Sequence, residues 1–303
     1  MRVRLENRVC NLPDFLIVGA ARSGTTSLYE NLRKHYQIFM PDNKEPWFFC
    51  FDDADKSRID ILKKKGTITD FSKYLALFEK ASTSQAVGEA STTYLYFYES
   101  AIRNIKKYHP KWQELKIIII LRNPVERAFS HYMIDMATAG VVIQFSEVIK
   151  KWQPKERSEI YKYVDYGFYY NQVKAYKDNF SRVKIYLFED LKNDAENLFI
   201  DLLNFLGVDT HFVLNTRFKY NFSGIPKNKF VGDLIYKPNI FKTIAKVILP
   251  DRVRLDIKKN LMKTSNEKPE LKDFERNALK DIYKDDVVKL QTLIGRDLSD
   301  WIK

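Results

Sequence analysis

The sequence predicts an α/β fold in which helices flank an open parallel β-sheet within a single domain, residues 1–303. Two short apolar runs, residues 15–19 and 117–121, have the continuous hydrophobic character of buried parallel strands. Each run is followed by a polar turn and then by a helical pattern, which is the order of a strand–helix unit. Hydrophobic residues make up 45% of the 303 residues, which is enough for one sizeable core.

The composition favours an anionic partner. Lysine and arginine number 51 against 39 aspartate and glutamate, which gives a formal net charge of +12. This excess suits nucleotides, acidic glycans, nucleic acid or anionic lipid, and it does not choose among them. Cys10 and Cys50 do not make a disulfide framework, which favours a reducing compartment. We find no signal peptide and no run near the ~20 apolar residues of a membrane span, so we expect a cytoplasmic protein.

A turn bounded by Gly19 and Gly24 connects the first predicted strand to the next helix. Backbone N–H groups in such a turn, together with the positive end of the helix dipole, form a site for an anion. The residues expected to bind this anion are Arg22, Ser23, Gly24, Thr25, Thr26 and Ser27. The alternative interpretation is an ordinary strand–helix connection.

The spacing of this turn is almost that of the Walker A loop of NTPases, G-x-x-x-x-G-K-[ST]. Thr25 stands where that motif has the lysine that binds the β- and γ-phosphates. We therefore expect a P-loop-like fold that binds the 5′ end of a nucleotide, with hydrolysis of ATP or GTP disfavoured.

A second anion site is predicted within residues 116–133. Arg122 closes the second predicted strand, and Asn123 with Glu126 forms a capping-box-like helix start. Ser130 lies two turns into that helix. Two such sites at the ends of neighbouring strands predict a ligand with two separated phosphates.

Other polar residues are candidates for chemistry. Lys44 and Glu45 precede an aromatic patch, residues 47–49, that we expect to be mostly core. Glu89 and Ser91 stand where another strand would end, which is where open α/β sheets bind their ligands, so we expect both to contact substrate. The alternatives are an ordinary loop carboxylate for Glu45 and a buried carboxylate that holds loops together for Glu89.

The C-terminal third contains fewer motifs. A loop at residues 220–230 carries Lys227 and Lys229, and it either covers the nucleotide or is a solvated surface loop. Residues 242–249 combine apolar side chains with lysines; we expect them to pack onto the domain, with peripheral membrane contact as the alternative. Residues 270–303 form a C-terminal helical segment. The four histidines are far apart and lack the spacing of metal ligands.

These motifs resemble those of the sulfotransferase family, which transfers the sulfuryl group of 3′-phosphoadenosine 5′-phosphosulfate (PAPS). GAARSGTTSL at residues 19–28, within a 12–34 segment, looks like the family's 5′-phosphosulfate-binding loop. LRNPVERAFSHY at residues 121–132 looks like its 3′-phosphate-binding segment, with Arg122 and Ser130 matching the usual phosphate ligands. The resemblance extends to GRDLSDW near the C-terminus, and it favours the branch of heparan sulfate sulfotransferases and bacterial relatives.

The resemblance implies in-line transfer of a sulfuryl group from PAPS to a hydroxyl, or an amine, of a carbohydrate or other small acceptor, leaving adenosine 3′,5′-bisphosphate. Glu45 precedes an aromatic pair as the family's catalytic glutamate does, which implies a general base. Arg22 and Ala90 stand where the family often has lysines. We expect Arg22 and Lys44 to be catalytic with Glu45 by balancing charge, and Lys44, Lys227 or Lys229 to assist the leaving group. No metal and no nucleic-acid partner are expected.

Two other function classes stay open. A P-loop nucleotide kinase or NTPase would need Mg-dependent nucleotide binding, and Thr25 argues against it. A basic nucleic-acid-binding protein is suggested only by the net charge, and no helix-turn-helix or RNP-like motif supports it.

The general base has two competing candidates, Glu45 and His131. Successive helical residues point about 100° apart, so His131 turns away from the sulfuryl group if Ser130 faces the 3′-phosphate. We therefore favour Glu45, with Glu89 as the next candidate. The sequence identifies neither the acceptor nor the oligomeric state.

Overall fold

The computed structural model of the chain describes residues 1–5, 8–50, 67–83, 85–139, 143–152, 162–212, 225–226, 266–267 and 270–303. The two lysines predicted to cover the nucleotide, Lys227 and Lys229, lie outside the described residues, and so does the 242–249 segment. The predictions made for them therefore stay predictions.

The described residues form the following strands and helices. The strands are β1 (Arg2–Leu5), β2 (Arg8–Asn11), β3 (Phe15–Gly19), β4 (Ile38–Phe39), β5 (Ala86–Ala90), β6 (Lys116–Leu121), β7 (Arg182–Leu187), β8 (Ile225–Pro226) and β9 (Asn266–Glu267). The α-helices are α1 (Thr25–Leu32), α2 (Phe71–Ala76), α3 (Thr93–Tyr96), α4 (Tyr98–Tyr108), α5 (Pro124–Ala139), α6 (Phe145–Lys151), α7 (Lys162–Asp165), α8 (Tyr169–Asn179), α9 (Phe188–Asn193), α10 (Ala195–Leu206) and α11 (Asp273–Ile294). Short 3₁₀ turns lie at Phe48–Cys50, Trp112–Glu114 and Ser299–Trp301.

Five strands form one parallel sheet in the order β4-β5-β3-β6-β7. The predicted α/β fold with an open parallel sheet is confirmed. β3 pairs with β5 on one side, where Ile17 is opposite Ala90, and with β6 on the other, where Ile17 is opposite Ile118. Because all the strands are parallel, their carboxyl ends lie at one edge of the sheet, and the loops that follow β3, β5 and β6 gather there.

The two apolar runs form the centre of the sheet because both faces of these strands are covered. Residues 15–18 of β3 and 117–121 of β6 have no exposed surface. Ile17 and Ile118 share one core cluster with Leu28 of α1 and Leu202 of α10. Burying an aliphatic side chain of this kind contributes about 1.5–3 kcal/mol, so the two strands anchor the fold.

The described chain divides into two compact units. The first comprises residues 1–123, 168–219 and 285–300, and it contains the whole five-stranded sheet. The second comprises residues 124–167, 220–284 and 301–303, and α5 belongs to it. The extent of the predicted domain, 1–303, stays a prediction. None of the helices in the described ranges combines the length and apolar composition that crossing a membrane requires.

Candidate active site

The loop between β3 and α1, residues 20–24, lies at the carboxyl edge of the sheet, within the first unit. Gly24 precedes the first residue of α1 and has a φ of 100°. A Cβ at this position would lie 2.8 Å from Cδ2 of Leu191, so a larger residue would meet both backbone strain and a side-chain contact. The tight turn predicted for this glycine is present.

Several features of this loop fit an anionic group. Thr25 begins α1, and the first N–H groups of any helix lack intrahelical acceptors and carry partial positive charge. Ser23 is fully buried, and within the described part of the chain its hydroxyl has no hydrogen-bond partner. Arg22, also with a positive φ of 70°, brings a cation to the same turn. The residues present therefore fit the phosphosulfate end of a nucleotide.

Arg122, at the end of the neighbouring strand β6, contacts this loop directly. Its Nη1 donates a hydrogen bond of 3.2 Å to the backbone carbonyl of Arg22. Its guanidinium carbon lies 4.8 Å from the ring centroid of Phe188, and its own carbonyl accepts a 3.0 Å hydrogen bond from the hydroxyl of Tyr169. The structure thus brings together the two arginines that the sequence assigned to separate phosphate sites.

Ser130, the predicted partner of Arg122, lies on α5 and belongs to the second unit. A phosphate site shared by these two residues stays a prediction. His131, the competing base, lies beside Ser130 on α5, where its ring packs edge-on against Tyr163 at 5.2 Å and Nη1 of Arg127 is 3.4 Å from its Nδ1. These contacts favour a structural role for His131.

Glu45 has the densest set of hydrogen bonds in the candidate site. Its Oε1 accepts from Nζ of Lys44 at 2.7 Å and from the hydroxyl of Thr92 at 3.1 Å. Its Oε2 accepts from the backbone N–H of Thr92 at 2.8 Å and from the indole N–H of Trp47 at 2.8 Å. The side chains of Lys44 and Glu45 are 19% and 23% exposed, so the ion pair is only partly buried.

The backbone of this segment is held in an uncommon conformation. Glu45 and Trp47 have φ values of 64° and 57°, in the left-handed region that residues other than glycine seldom adopt. Two hydrogen bonds connect them to the end of β5: from Glu45 N to the carbonyl of Ala90 at 3.0 Å, and from Trp47 N to Oγ of Ser91 at 3.2 Å. Backbone strain persists where the surroundings determine it, and it clusters at functional sites.

Glu89 and Ser91 are both fully buried. Oε2 of Glu89 accepts hydrogen bonds from the hydroxyls of Tyr74 at 3.1 Å and Tyr94 at 2.9 Å, and Oε1 has no partner within the described ranges. Burial raises the pKa of Glu89 to about 7, and the negative charge of Glu45 adds to the rise, while the effects of Ser91, Tyr94 and Tyr74 lower it. These contacts favour the interpretation that Glu89 holds loops together, and acceptor binding by either residue stays a prediction.

Sequence reasoning missed two donors of the site, Thr92 and the Trp47 indole. We expected Trp47 to be mostly core, but it is only partly buried, and its indole N–H contacts Glu45. Thr92 is one hydroxyl residue in the run STT, and no motif distinguishes it from Thr93. Among the described residues, no group of three or more His, Cys, Asp or Glu side chains is arranged to bind a metal ion.

The fold and the site together define a P-loop-like α/β protein in which the loop after β3 fits an anion and a glutamate is held by hydrogen bonds at the end of β5. A family model described as "Sulfotransferase domain" matches residues 12–229. The chain therefore belongs to the sulfotransferase family, and the resemblance inferred from its motifs is confirmed.

Similar proteins agree with this assignment. The crystal structure of a sulfotransferase from Alicyclobacillus acidocaldarius is 30% identical, with a TM-score of 0.70, over 97% of this chain and 100% of that one. The membrane-associated sulfotransferase kil1 of Dictyostelium discoideum is 29% identical over 43% of this chain and 24% of its own length. Mouse carbohydrate sulfotransferase 15 is 28% identical over 40% of this chain and 27% of its own. The chain thus spans about a quarter of the length of these curated relatives.

Proposed function

We propose that this sulfotransferase uses PAPS and transfers its sulfuryl group to a hydroxyl, or an amine, of a carbohydrate or another small acceptor. The observation that best supports this proposal is the position of Glu45. Its backbone N–H bonds to Ala90 at the end of β5, and Ala90 pairs with Ile17 of β3, the strand that leads into the anion-binding loop. A fixed carboxylate and an anion site therefore lie at adjacent strand ends. Two similar mouse proteins are named carbohydrate sulfotransferase 15 and bifunctional heparan sulfate N-deacetylase/N-sulfotransferase 4, and these names support a carbohydrate acceptor.

The proposed chemistry places one task on each residue. Glu45 accepts the proton of the acceptor hydroxyl while that oxygen forms its bond to sulfur. The bond from sulfur to the 5′-phosphate oxygen breaks, and the electron pair stays on that oxygen, leaving adenosine 3′,5′-bisphosphate. Arg22, Lys44 and the first amides of α1 balance the negative charge that develops. Transfer of this kind depends mainly on positioning and charge stabilisation.

Adenosine 3′,5′-bisphosphate is expected to raise the melting temperature of the chain more than ATP with Mg²⁺ does. A ligand that binds only the folded state, at 100 times its Kd, contributes about 2.7 kcal/mol. Thr25, in place of the Walker lysine, removes the contact that ATP needs. Melting curves over a range of both ligands test this. A larger rise with ATP and Mg²⁺ would replace the proposal by the nucleotide kinase alternative.

Arg122→Ala is expected to weaken binding of the bisphosphate by about tenfold or more and to change binding of adenosine 5′-monophosphate much less. Both affinities are measured by calorimetry. Arg122 also donates to the carbonyl of Arg22, so its loss could disturb the loop at residues 20–24. Binding of the monophosphate, which lacks the 3′-phosphate, measures that effect separately. Arg103→Ala, an exposed position on α4, is the control. Equal losses for both nucleotides would remove Arg122 from the 3′-phosphate site.

The acceptor is identified by transfer of ³⁵S from labelled PAPS to a panel of polysaccharides, phenols, lipids and alcohols. Loops that contact acceptors differ among proteins of one fold, so the fold does not decide this question. The cytoplasmic location also stays a proposal.

A further inference from the structure

The two oxygens of the Glu45 carboxylate have different surroundings. Oε2 is occupied by two donors that belong to the fold, the Thr92 backbone N–H and the Trp47 indole, both at 2.8 Å. Oε1 is occupied by Nζ of Lys44, which is at the end of a flexible side chain, and by the Thr92 hydroxyl. A carboxylate offers about four lone-pair sites, so these donors saturate it.

An acceptor hydroxyl can reach this carboxylate only if one donor leaves. The backbone N–H of Thr92 cannot leave without moving the segment between β5 and α3, and the indole is joined to the strained turn at Trp47. The Lys44 ammonium moves on four rotatable bonds and is drawn to any anion bound nearby. The acceptor hydroxyl therefore replaces the Lys44 ammonium at Oε1.

We propose that Thr92 is a positioning residue for Glu45: it fixes Oε2 through its N–H and the carboxylate plane through its hydroxyl, so that Oε1 is the proton-accepting oxygen. This inference rests on the proposed function. Thr92 contacts Glu45 through two groups at once. Its backbone N–H lies 2.8 Å from Oε2, and its hydroxyl lies 3.1 Å from Oε1 and 3.3 Å from Oε2. It acts through Glu45 and is not itself a catalytic residue.

Thr92→Val keeps the backbone N–H and nearly the same shape while it removes the hydroxyl. We expect kcat to fall about tenfold, in line with loss of a hydrogen bond to a charged group, with the KM for PAPS unchanged within about twofold. Thr92→Ser restores the hydroxyl and is expected to recover most of kcat. Thr93→Val is the matched control, because that neighbouring hydroxyl contacts Sγ of Cys50 at 3.3 Å instead of Glu45.

The kinetics use the acceptor that gives the most ³⁵S transfer in the panel. Wild-type kcat in Thr92→Val would overturn the proposal, and so would a Thr92→Ser enzyme as slow as Thr92→Val or a Thr93→Val enzyme equally slow.

A parallel measurement of thermal stability needs no acceptor. Melting temperatures of Thr92→Val, Glu45→Ala and the double variant form a thermodynamic cycle, and the proposal expects the effect of Thr92→Val to shrink in the Glu45→Ala background, which has no acceptor for the Thr92 hydroxyl.

The two measurements separate this inference from the proposed function. Absence of transfer from PAPS to every acceptor tested would remove the proposed function. The melting cycle would still decide whether Thr92 holds Glu45, and additive melting effects would show that it does not.

Discussion

Glu45→Gln is expected to reduce turnover by about 100-fold or more while binding of adenosine 3′,5′-bisphosphate stays nearly intact. The amide keeps the size of the side chain and can still accept from Thr92, but it cannot accept the proton of an acceptor hydroxyl. The measurements are kcat with the best acceptor of the panel and the bisphosphate-induced rise in melting temperature.

Asp42→Asn is the control for this variant. Asp42 lies three positions earlier in the same segment, its side chain is 91% exposed, and its carboxylate pairs with Arg33 at 2.6 Å. We expect its turnover to match that of the wild type. If Glu45→Gln also kept near-normal turnover, the base would have to be another group, and Glu89 would be tested next.

Glu89→Gln is expected to flatten the dependence of stability on pH. The pKa of Glu89 is raised from 4.5 to about 7 by burial, so between these values the folded chain holds a proton that the unfolded chain has lost. The unfolding free energy of the wild type therefore falls as the pH rises through this window. At about 1.4 kcal/mol per pH unit, the loss is on the order of 3 kcal/mol.

Urea unfolding of both proteins at pH 5, 6, 7 and 8 measures this difference. Asp286, whose burial raises its pKa to about 6, is present in both proteins, so its contribution cancels in the comparison. Any cost of the buried amide in Glu89→Gln is the same at each pH, so it does not change the slope. Glu99→Gln, at an exposed position on α4, should track the wild type. Parallel curves for wild type and Glu89→Gln would show that Glu89 is ionised throughout.

The sheet and the tight turn after β3 could be predicted because their signals are local. The apolar runs of β3 and β6 are continuous, and Gly24 sits where the turn needs a positive φ. From these runs we could predict that β3 and β6 are neighbouring parallel strands. We could not predict that β5 pairs with β3, because that pairing depends on tertiary contacts. The assignment of the two ends of the nucleotide rests on the family motifs and stays a prediction.

The environment of Glu45 could not be predicted, because it depends on backbone angles that the sequence does not show. Glu45 and Trp47 have left-handed backbone conformations, the Trp47 indole donates to the Glu45 carboxylate, and no glycine in that segment marks these conformations. Burial of Glu89 likewise depends on Tyr74, which reaches it from α2, 15 positions earlier in the chain. Contacts of this kind come from packing between elements and have no periodic signature.

The attachment of Glu45 to the end of β5 has a consequence for how acceptor preference can diverge. The backbone N–H of Glu45 bonds to the carbonyl of Ala90 at the end of β5, and its carboxylate accepts from the backbone N–H of Thr92 just beyond it. If Glu45 is the base, as proposed, insertions or exchanges in the connecting segments would alter which molecules reach it while its carboxylate keeps its geometry. Under the proposed function, chemistry and acceptor choice are therefore separable traits, and a new acceptor requires no change in the reacting groups.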